Sequence, residues 1–306
     1  MIAVGGNALA PEGLGDFESQ FERAGEVAGS IVELVDQGYR VALVHGNGPQ
    51  VGALALAQEA LAPDVPPQPL FVLGAMTQGQ LGYLLCQAIG NALDAAGRPR
   101  AVAAVMTQVV VSEDDPAFSK PTKPIGPFFP AGRARRLAKA RGWSVGEDAG
   151  RGWRRMVPSP DPLEVVEWPQ IEALLRTTDV VVACGGGGVP VTRSGTGLAG
   201  VEAVIDKDLA AARLGGLVGA DRLLLLTGVE RVFLGFGGPD QRPVDVLTVD
   251  EARGHLEAGE FPAGSMGPKI LGAIRFVESS GGEAIITSLE RVGDALAGRT
   301  GTRVVP

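Results

Sequence analysis

Cysteine is nearly missing from this chain of 306 residues: Cys86 and Cys184 are the only two, far apart and in no CxxC pattern. That argues against a disulfide framework and against a cysteine-held zinc site. Histidine is as scarce, with only His45 and His255, so a histidine relay or metal centre has little material. Aromatic residues make up 5% of the chain and the formal net charge is −8. A stacking platform for single strands and an electrostatic grip on a phosphate backbone are both disfavoured, and no nucleic-acid partner is expected. No apolar run approaches the ~18 residues of a membrane span, so no membrane partner is expected. The first residues, Met-Ile-Ala-Val-Gly-Gly, show neither the basic nor the apolar region of a secretory signal. A cytoplasmic location is expected.

Several catalytic signatures are also missing. There is no GxxxxGK[ST] loop, no protein-kinase glycine loop or catalytic loop, and no strict GxGxxG. The last absence weakens a dinucleotide site. The final scarcity is lysine. Of 27 basic residues only five are lysines: Lys120, Lys123, Lys139, Lys207 and Lys269. Arginine serves almost everywhere else, so a lysine kept against that background suggests a compact point charge where a planar fork would not serve.

Glycine is abundant, with 45 residues, roughly double the usual ~7%. It falls in a pattern. Short apolar runs at residues 2–4, 40–44, 180–183, 223–226 and 284–286 each end in a turn, most of them glycine-rich. Continuous Val/Ile/Leu runs indicate strands buried on both faces. Helical spacing of apolar residues follows at 21–37, 50–61, 78–96, 206–217 and 269–279. The alternation predicts an α/β fold, a three-layer αβα sandwich with a mostly parallel central sheet. Ligands of such sheets bind beyond the carboxyl ends of the strands, where the glycine turns at 5–7, 46–48 and 185–188 would meet. Residues 112–162 differ in character. They are rich in Pro, Lys and Arg but keep Trp143, Trp153 and Phe128-Phe129. A small protruding subdomain is expected there, inserted within a single domain covering 1–306.

Glycine turns that open helices present backbone N–H groups and the positive end of the helix dipole to an anion. Gly5-Gly6-Asn7 and Gly46-Asn47-Gly48 fit that description. Asp206-Lys207-Asp208 opens a predicted helix, so two carboxylates bracket one lysine. Lys269 opens another, where an ammonium opposes the dipole unless an anion lies between them. Lys123 sits between Pro121 and Pro124 on a stiff extended segment. Together these are parts for phosphoryl transfer, which needs positioning and positive charge more than covalent help. Mg²⁺ would come with the nucleotide phosphates, with no dedicated protein metal site.

The chain also resembles a known family end to end. Residues 45–52 (HGNGPQVG), 75–83 (AMTQGQLGY), 121–127 (PTKPIGP), 147–160 (EDAGRGWRRMVPSP), 184–190 (CGGGGVP), 200–208 (GVEAVIDKD) and 264–269 (GSMGPK) are similar to the carbamate kinases of the amino acid kinase superfamily. PTKPIGP and EDAGRGWRR are the specific segments, lying in an insertion that related kinases lack. The resemblance implies reversible phosphoryl transfer between ATP and carbamate, giving ADP and carbamoyl phosphate, often in the ATP-forming direction at the end of arginine or purine-derived catabolism. It implies a homodimer. It places Gly5, Gly6 and Asn7 on the phosphate and Gly46, Asn47 and Gly48 on the carbamate and the moving phosphoryl group. Lys123, Lys207 and Lys269 would be catalytic, with Asp208 orienting the lysines, and Thr227, Gly228, Val229 and Met266 near the nucleotide. The superfamily's lysine after the first strand is replaced here by Gly-Gly-Asn, and the resemblance gives that charge to Lys123. A sister kinase for another acid or phosphate acceptor and a sensor without turnover are the competing readings.

Overall fold

The computed structural model describes residues 1–10, 16–62, 64–148, 150–195, 197–262 and 264–306. Its centre is an eight-stranded sheet. From edge to edge the strands are Val246–Thr248, Thr302–Val305, Glu283–Thr287, Arg222–Leu226, Ile2–Val4, Val41–His45, Val180–Val182 and Val102–Ala104. Every neighbouring pair is parallel except Glu283–Thr287 with Thr302–Val305.

Alternate residues of one strand feed opposite cores. Ala3, Ala42, Val44, Val181 and Leu225 join one cluster with the helices Lys207–Leu217 and Met266–Ser280, through Ala210, Ala211, Ile270, Ala273 and Phe276. Ile2, Val4, Leu43, Val182 and Leu226 join the other, with the helices Phe17–Asp36 and Leu70–Ala95, through Val27, Ile31, Leu85 and Ile89. That is why the strands read as unbroken apolar runs: both faces are covered. The first strand has only three residues, Ile2–Val4, yet all three are buried between two parallel neighbours.

A smaller four-stranded sheet follows the order Gly197–Gly200, Val189–Ser194, Gln108–Val110 and Glu164–Val165. Gln108–Val110 and Glu164–Val165 pair antiparallel, Val109 opposite Val165. The chain between them builds a three-stranded antiparallel sheet in the order Lys123–Phe129, Trp153–Val157 and Ser144–Glu147. The helix Ala131–Arg141 lies between its first two strands in sequence and ends at Gly142, which takes a left-handed φ of 67°.

The apolar periodicity is weak here because arginine covers the rings. Arg141 and Arg155 lie over Trp143 at 5.2 and 4.9 Å. Arg151 and Arg154 lie over Phe128 at 4.9 and 5.0 Å. Arg133 covers Phe129 and Arg135 covers Trp153. Each such stack adds about 0.5–2 kcal/mol, more where it is desolvated.

The helix Gly48–Ala60 carries this unit. A Cβ on Gly52 would fall 2.1 Å from the Gly126 nitrogen, so helix and strand cross backbone to backbone. Gly126 itself has φ +75°, a conformation closed to most side chains. Two turns further on, Glu59 receives Arg155 Nη1 on one carboxylate oxygen and Arg141 Nη1 on the other, each at 2.9 Å. Val51, Ala55, Leu73, Ile125 and Val157 fill the space beneath.

Candidate active site

The carboxyl ends of Ile2–Val4, Val41–His45 and Arg222–Leu226 open into a cleft of about 750 Å³. The three-stranded unit supplies its other wall, with Lys123, Pro124, Asp148, Arg151 and Arg154.

Two glycine turns meet on its floor. A Cβ on Gly46 would sit 2.6 Å from the Gly6 nitrogen and 3.1 Å from Lys207 Cδ. Only glycine permits that approach. Gly46 N–H donates to Val4 O at 2.8 Å, tying the turns together. Gly5 and Gly6 line the cleft, and Gly6 starts the short helix Gly6–Leu9. The Asn7 side chain lies outside the described residues. Gly46, Asn47 and Gly48 line the cleft as well, and Gly48 begins the thirteen-residue helix Gly48–Ala60 with Pro49 in its first turn. The Asn47 amide nitrogen is turned to Thr77 Oγ1, 2.8 Å away, and Thr77 in turn donates to Gly74 O. What Asn47 gives the cleft is therefore mainly its backbone.

The glycine run at 185–188 does not line the cleft, which corrects the expectation that it would meet the other turns there. All four glycines are buried. A Cβ on Gly185 would fall 2.3 Å from His45 Nε2, one on Gly186 2.2 Å from Asn47 Nδ2, and one on Gly187 2.4 Å from Ile205 O. The run is a brace behind the 45–47 turn and the approach to Asp206. Cys184, ahead of it, holds φ +49°, and its N–H donates to Thr107 Oγ1 at 3.0 Å. Thr107 is held in turn by Gln78, whose amide bonds both its N–H and its C=O. Burial keeps His45 neutral, with its pKa lowered to about 4.

The charged centre lies above that floor. Asp206 caps the helix Lys207–Leu217 by accepting from Asp208 N–H at 2.9 Å, and its other oxygen takes the Lys123 ammonium. Asp208 receives Lys207 Nζ on both oxygens and Lys269 Nζ on one, all at 2.9 Å. Three lysines from three distant segments thus gather around two carboxylates, leaving one positive charge over. Lys269 is the fourth residue of its helix, Met266–Ser280, rather than its opening residue. Gly272, one turn later, packs that helix onto the Asp208 backbone, where a Cβ would meet Asp208 O at 2.9 Å.

The surroundings set the protonation states. Burial alone would raise Asp206, but Lys123, Lys207 and Lys269 hold it below the ordinary carboxylate range. Burial opposes the charge on Lys207 too, yet Asp208 and Asp206 outweigh it and raise its pKa. Lys269 goes the other way: burial outweighs Asp208, Lys207 repels it, and its pKa falls to about 8.

Thr227 and Gly228 line the far end of the cleft, where Pro262, Gly264, Ser265 and Leu289 join them. Val229 and Met266 stand beside that end without lining it; Met266 packs on the core instead. Arg154, Thr77, Gln78 and Thr107 belong to the site or its support, and sequence reasoning did not single them out for it. The contacts that tie them to the site, Thr77 with Asn47, Gln78 with Thr107, Thr107 with Cys184 and Arg154 with Gly126, each span 28 positions or more, so no local spacing marks them.

A parallel α/β sheet with glycine turns and clustered lysines at its carboxyl edge defines a phosphoryl-transfer fold, and the comparisons agree. Residues 1–288 match the model of the amino acid kinase family, and the chain belongs to that family of phosphotransferases. Within it the similarity is to carbamate kinases. The carbamate kinase of Thermococcus kodakarensis is 49% identical over 309 aligned positions, covering 100% of this chain and 98% of that protein. The carbamate kinase from Giardia lamblia bound to citric acid superposes with a TM-score of 0.94 at 42% identity, over 99% of this chain and 97% of that one. The same enzyme bound to AMP-PNP gives 0.89 at 42% identity and the same coverage.

Proposed function

We propose that this protein is a carbamate kinase, moving a phosphoryl group reversibly between ATP and carbamate to give ADP and carbamoyl phosphate. The observation that carries this reading is the set of Lys123, Lys207 and Lys269 around Asp206 and Asp208, facing glycine turns across one cleft. One carbamate oxygen bonds to the γ-phosphorus as the bond from phosphorus to the bridging oxygen of ADP breaks. That oxygen is already anionic, so no general base is needed. Gly5, Gly6 and Asn7 hold the phosphate side, and Gly46, Asn47 and Gly48 hold the acceptor and the moving group. Lys207 and Lys269 neutralise charge on the equatorial oxygens, and Asp208 aims them. Lys123 exchanges Asp206 for the phosphoryl group and so ties the residue 112–162 unit, a protruding subdomain of the single domain, to the reaction. Thr227, Gly228, Val229 and Met266 mark the nucleotide end.

Mg²⁺ fits this site as an ion carried by the nucleotide phosphates, because Asp206 and Asp208 are each tied to lysines. When bound it supplies charge neutralisation on those phosphates. We further propose that the enzyme works in the cytoplasm, forming ATP in arginine or purine-derived catabolism. No described helix is long and apolar enough to cross a membrane. A second copy of the chain is the proposed partner. Met76 and Tyr83, two turns apart on the helix Leu70–Ala95, leave apolar surface exposed, and exposed Met106 follows the strand packed on that helix at Gly82 and Ala104.

The test is ATP formation from ADP and carbamoyl phosphate with Mg²⁺, with acetyl phosphate as the control donor. Turnover with carbamoyl phosphate that disappears in Lys123→Ala supports the reading. Tight ADP binding without turnover moves it to a sensor or a sister kinase.

A further inference from the structure

Arg154 is the one arginine of the three-stranded unit that is almost fully buried, 4% exposed, and it lines the cleft. Two sides of its guanidinium are fixed. Nε–H donates to Gly126 O at 2.9 Å, and Nη1 donates to Asp148 Oδ2 at 3.0 Å. Its face lies over Phe128. Nη2 has no hydrogen-bond partner among the described residues. It points to the start of the helix Gly48–Ala60, lying 3.8 Å from where a Cβ on Gly48 would stand. That helix start is itself unanswered, since its N-cap Asn47 makes no side-chain cap bond. A buried cation with one open edge and a helix N-terminus therefore face the same small volume, beside Pro124 O.

We propose that Arg154 holds the carboxyl end of the acceptor, a small planar anion, against the start of the helix Gly48–Ala60. This deepens the carbamate kinase reading and rests on it. The lysines gather at Asp206 and Asp208 and serve the moving phosphoryl group. Arg154 serves the oxygen of carbamate that does not attack, which becomes the carbonyl oxygen of carbamoyl phosphate. An arginine suits a planar oxyanion because its donors lie in one plane, where an ammonium offers only a point charge. Anchoring on Gly126 and Asp148 fixes that plane before substrate arrives, so little freedom is lost on binding. The acceptor is thereby selected from the same strand pair that carries Lys123, whose neighbour across the sheet is Val157.

The experiment is steady-state ATP formation by wild type, Arg154→Gln, Arg154→Lys and Arg135→Gln, with ADP and carbamoyl phosphate varied separately. ADP affinity is measured by calorimetry alongside. Asp148 keeps Arg151 as a partner in the glutamine variant, and the lysine variant keeps the charge but not the fork. Both arginine-154 variants are expected to raise KM for carbamoyl phosphate about 10–100-fold, the loss expected of a charge-assisted hydrogen bond. ADP affinity stays within about threefold. Arg135→Gln, which removes an exposed guanidinium from over the half-buried Trp153 ring of the same unit, leaves both constants unchanged. Methylguanidinium added to Arg154→Gln restores part of the carbamoyl phosphate affinity. An unchanged KM for carbamoyl phosphate overturns the assignment, as does a parallel loss of ADP affinity, which would make Arg154 only a strut of the unit. Wild type without turnover would instead remove the underlying reading.

Discussion

Among single residues, Lys269 is the one whose charge the site leaves most finely balanced. It is buried beside Lys207, and its pKa of about 8 lies far below an ordinary lysine. The ammonium is charged below that value and neutral above it. A rate that depends on it therefore falls as pH rises, and kcat/KM, which reports the free enzyme, should decline above about pH 8. Bound phosphate adds negative charge beside Lys269 and raises its pKa, so the decline in kcat should come at higher pH. Lys207, raised by its two carboxylates, stays charged throughout. Lys269→Arg should lose the alkaline limb, because guanidinium does not titrate in this range. A limb that persists at the same pH in that variant would assign it elsewhere. Truncating Lys207 or Lys269 to alanine should cost on the order of 10²–10³ in turnover, while circular dichroism and ADP binding stay near wild type. The lysines were legible in the sequence for a compositional reason: five stand out against so many arginines. Thr77 and Arg154 were not, because one acts on Asn47 and the other on Gly126 and Asp148 across 28–30 positions or by a chain reversal.

Between elements, the decisive contact is the crossing of the helix Gly48–Ala60 with the strand Lys123–Phe129. The helix begins at the turn Gly46–Gly48 and the strand begins at Lys123, so one crossing fixes the distance between the two sides of the cleft. Gly52 makes it possible. Alanine there would put a methyl group 2.1 Å from the Gly126 nitrogen and 2.2 Å from its Cα, backbone atoms that cannot rotate aside. Helix propensity alone would favour alanine by about 1 kcal/mol, so isolated helix stability predicts the wrong sign. We expect Gly52→Ala to lower kcat at least about 100-fold, since a shift of ~1 Å at Lys123 is enough for that. ADP affinity, which the proposed reading assigns to the Thr227–Gly228 end, should change little. Near wild-type kcat would show that the unit tolerates displacement. The glycine pattern in the sequence announced close approaches but not their purpose. Gly46 meets Gly6 at the cleft floor as its position suggested, whereas Gly185 and Gly186 brace His45 and Asn47 from behind. A glycine turn after a strand reads the same whether it faces a ligand or another loop. Only the packing of the second layer separates the two.

At the scale of the whole molecule, strand and helix order was readable because hydrophobic runs and spacing are set by burial on both faces of the sheet. What local pattern could not reveal is which surface the folded chain leaves uncovered. The helix Leu70–Ala95 shows why. One side packs Leu81, Leu85 and Ile89 into the core, yet Met76 and Tyr83 remain 44% and 57% exposed on the same helix. Helices with one polar face solvate it; this one keeps large apolar groups there, and the exposed Met106 extends the surface. Covering such a surface with its copy is the least demanding arrangement, because a two-fold axis lets one patch complement itself. Neither Met76 nor Tyr83 lines the cleft. Pairing and catalysis are then separable. Wild type should elute at twice the chain mass in size-exclusion chromatography with light scattering. Met76→Arg combined with Tyr83→Arg should elute as a monomer, since two buried like charges meet their symmetry mates across the axis. The double variant should keep its ADP affinity within about threefold. A monomeric wild type would remove the pairing surface altogether. A dimeric double variant would place the interface on another face, and a monomer that no longer binds ADP would mean that pairing holds the cleft in shape.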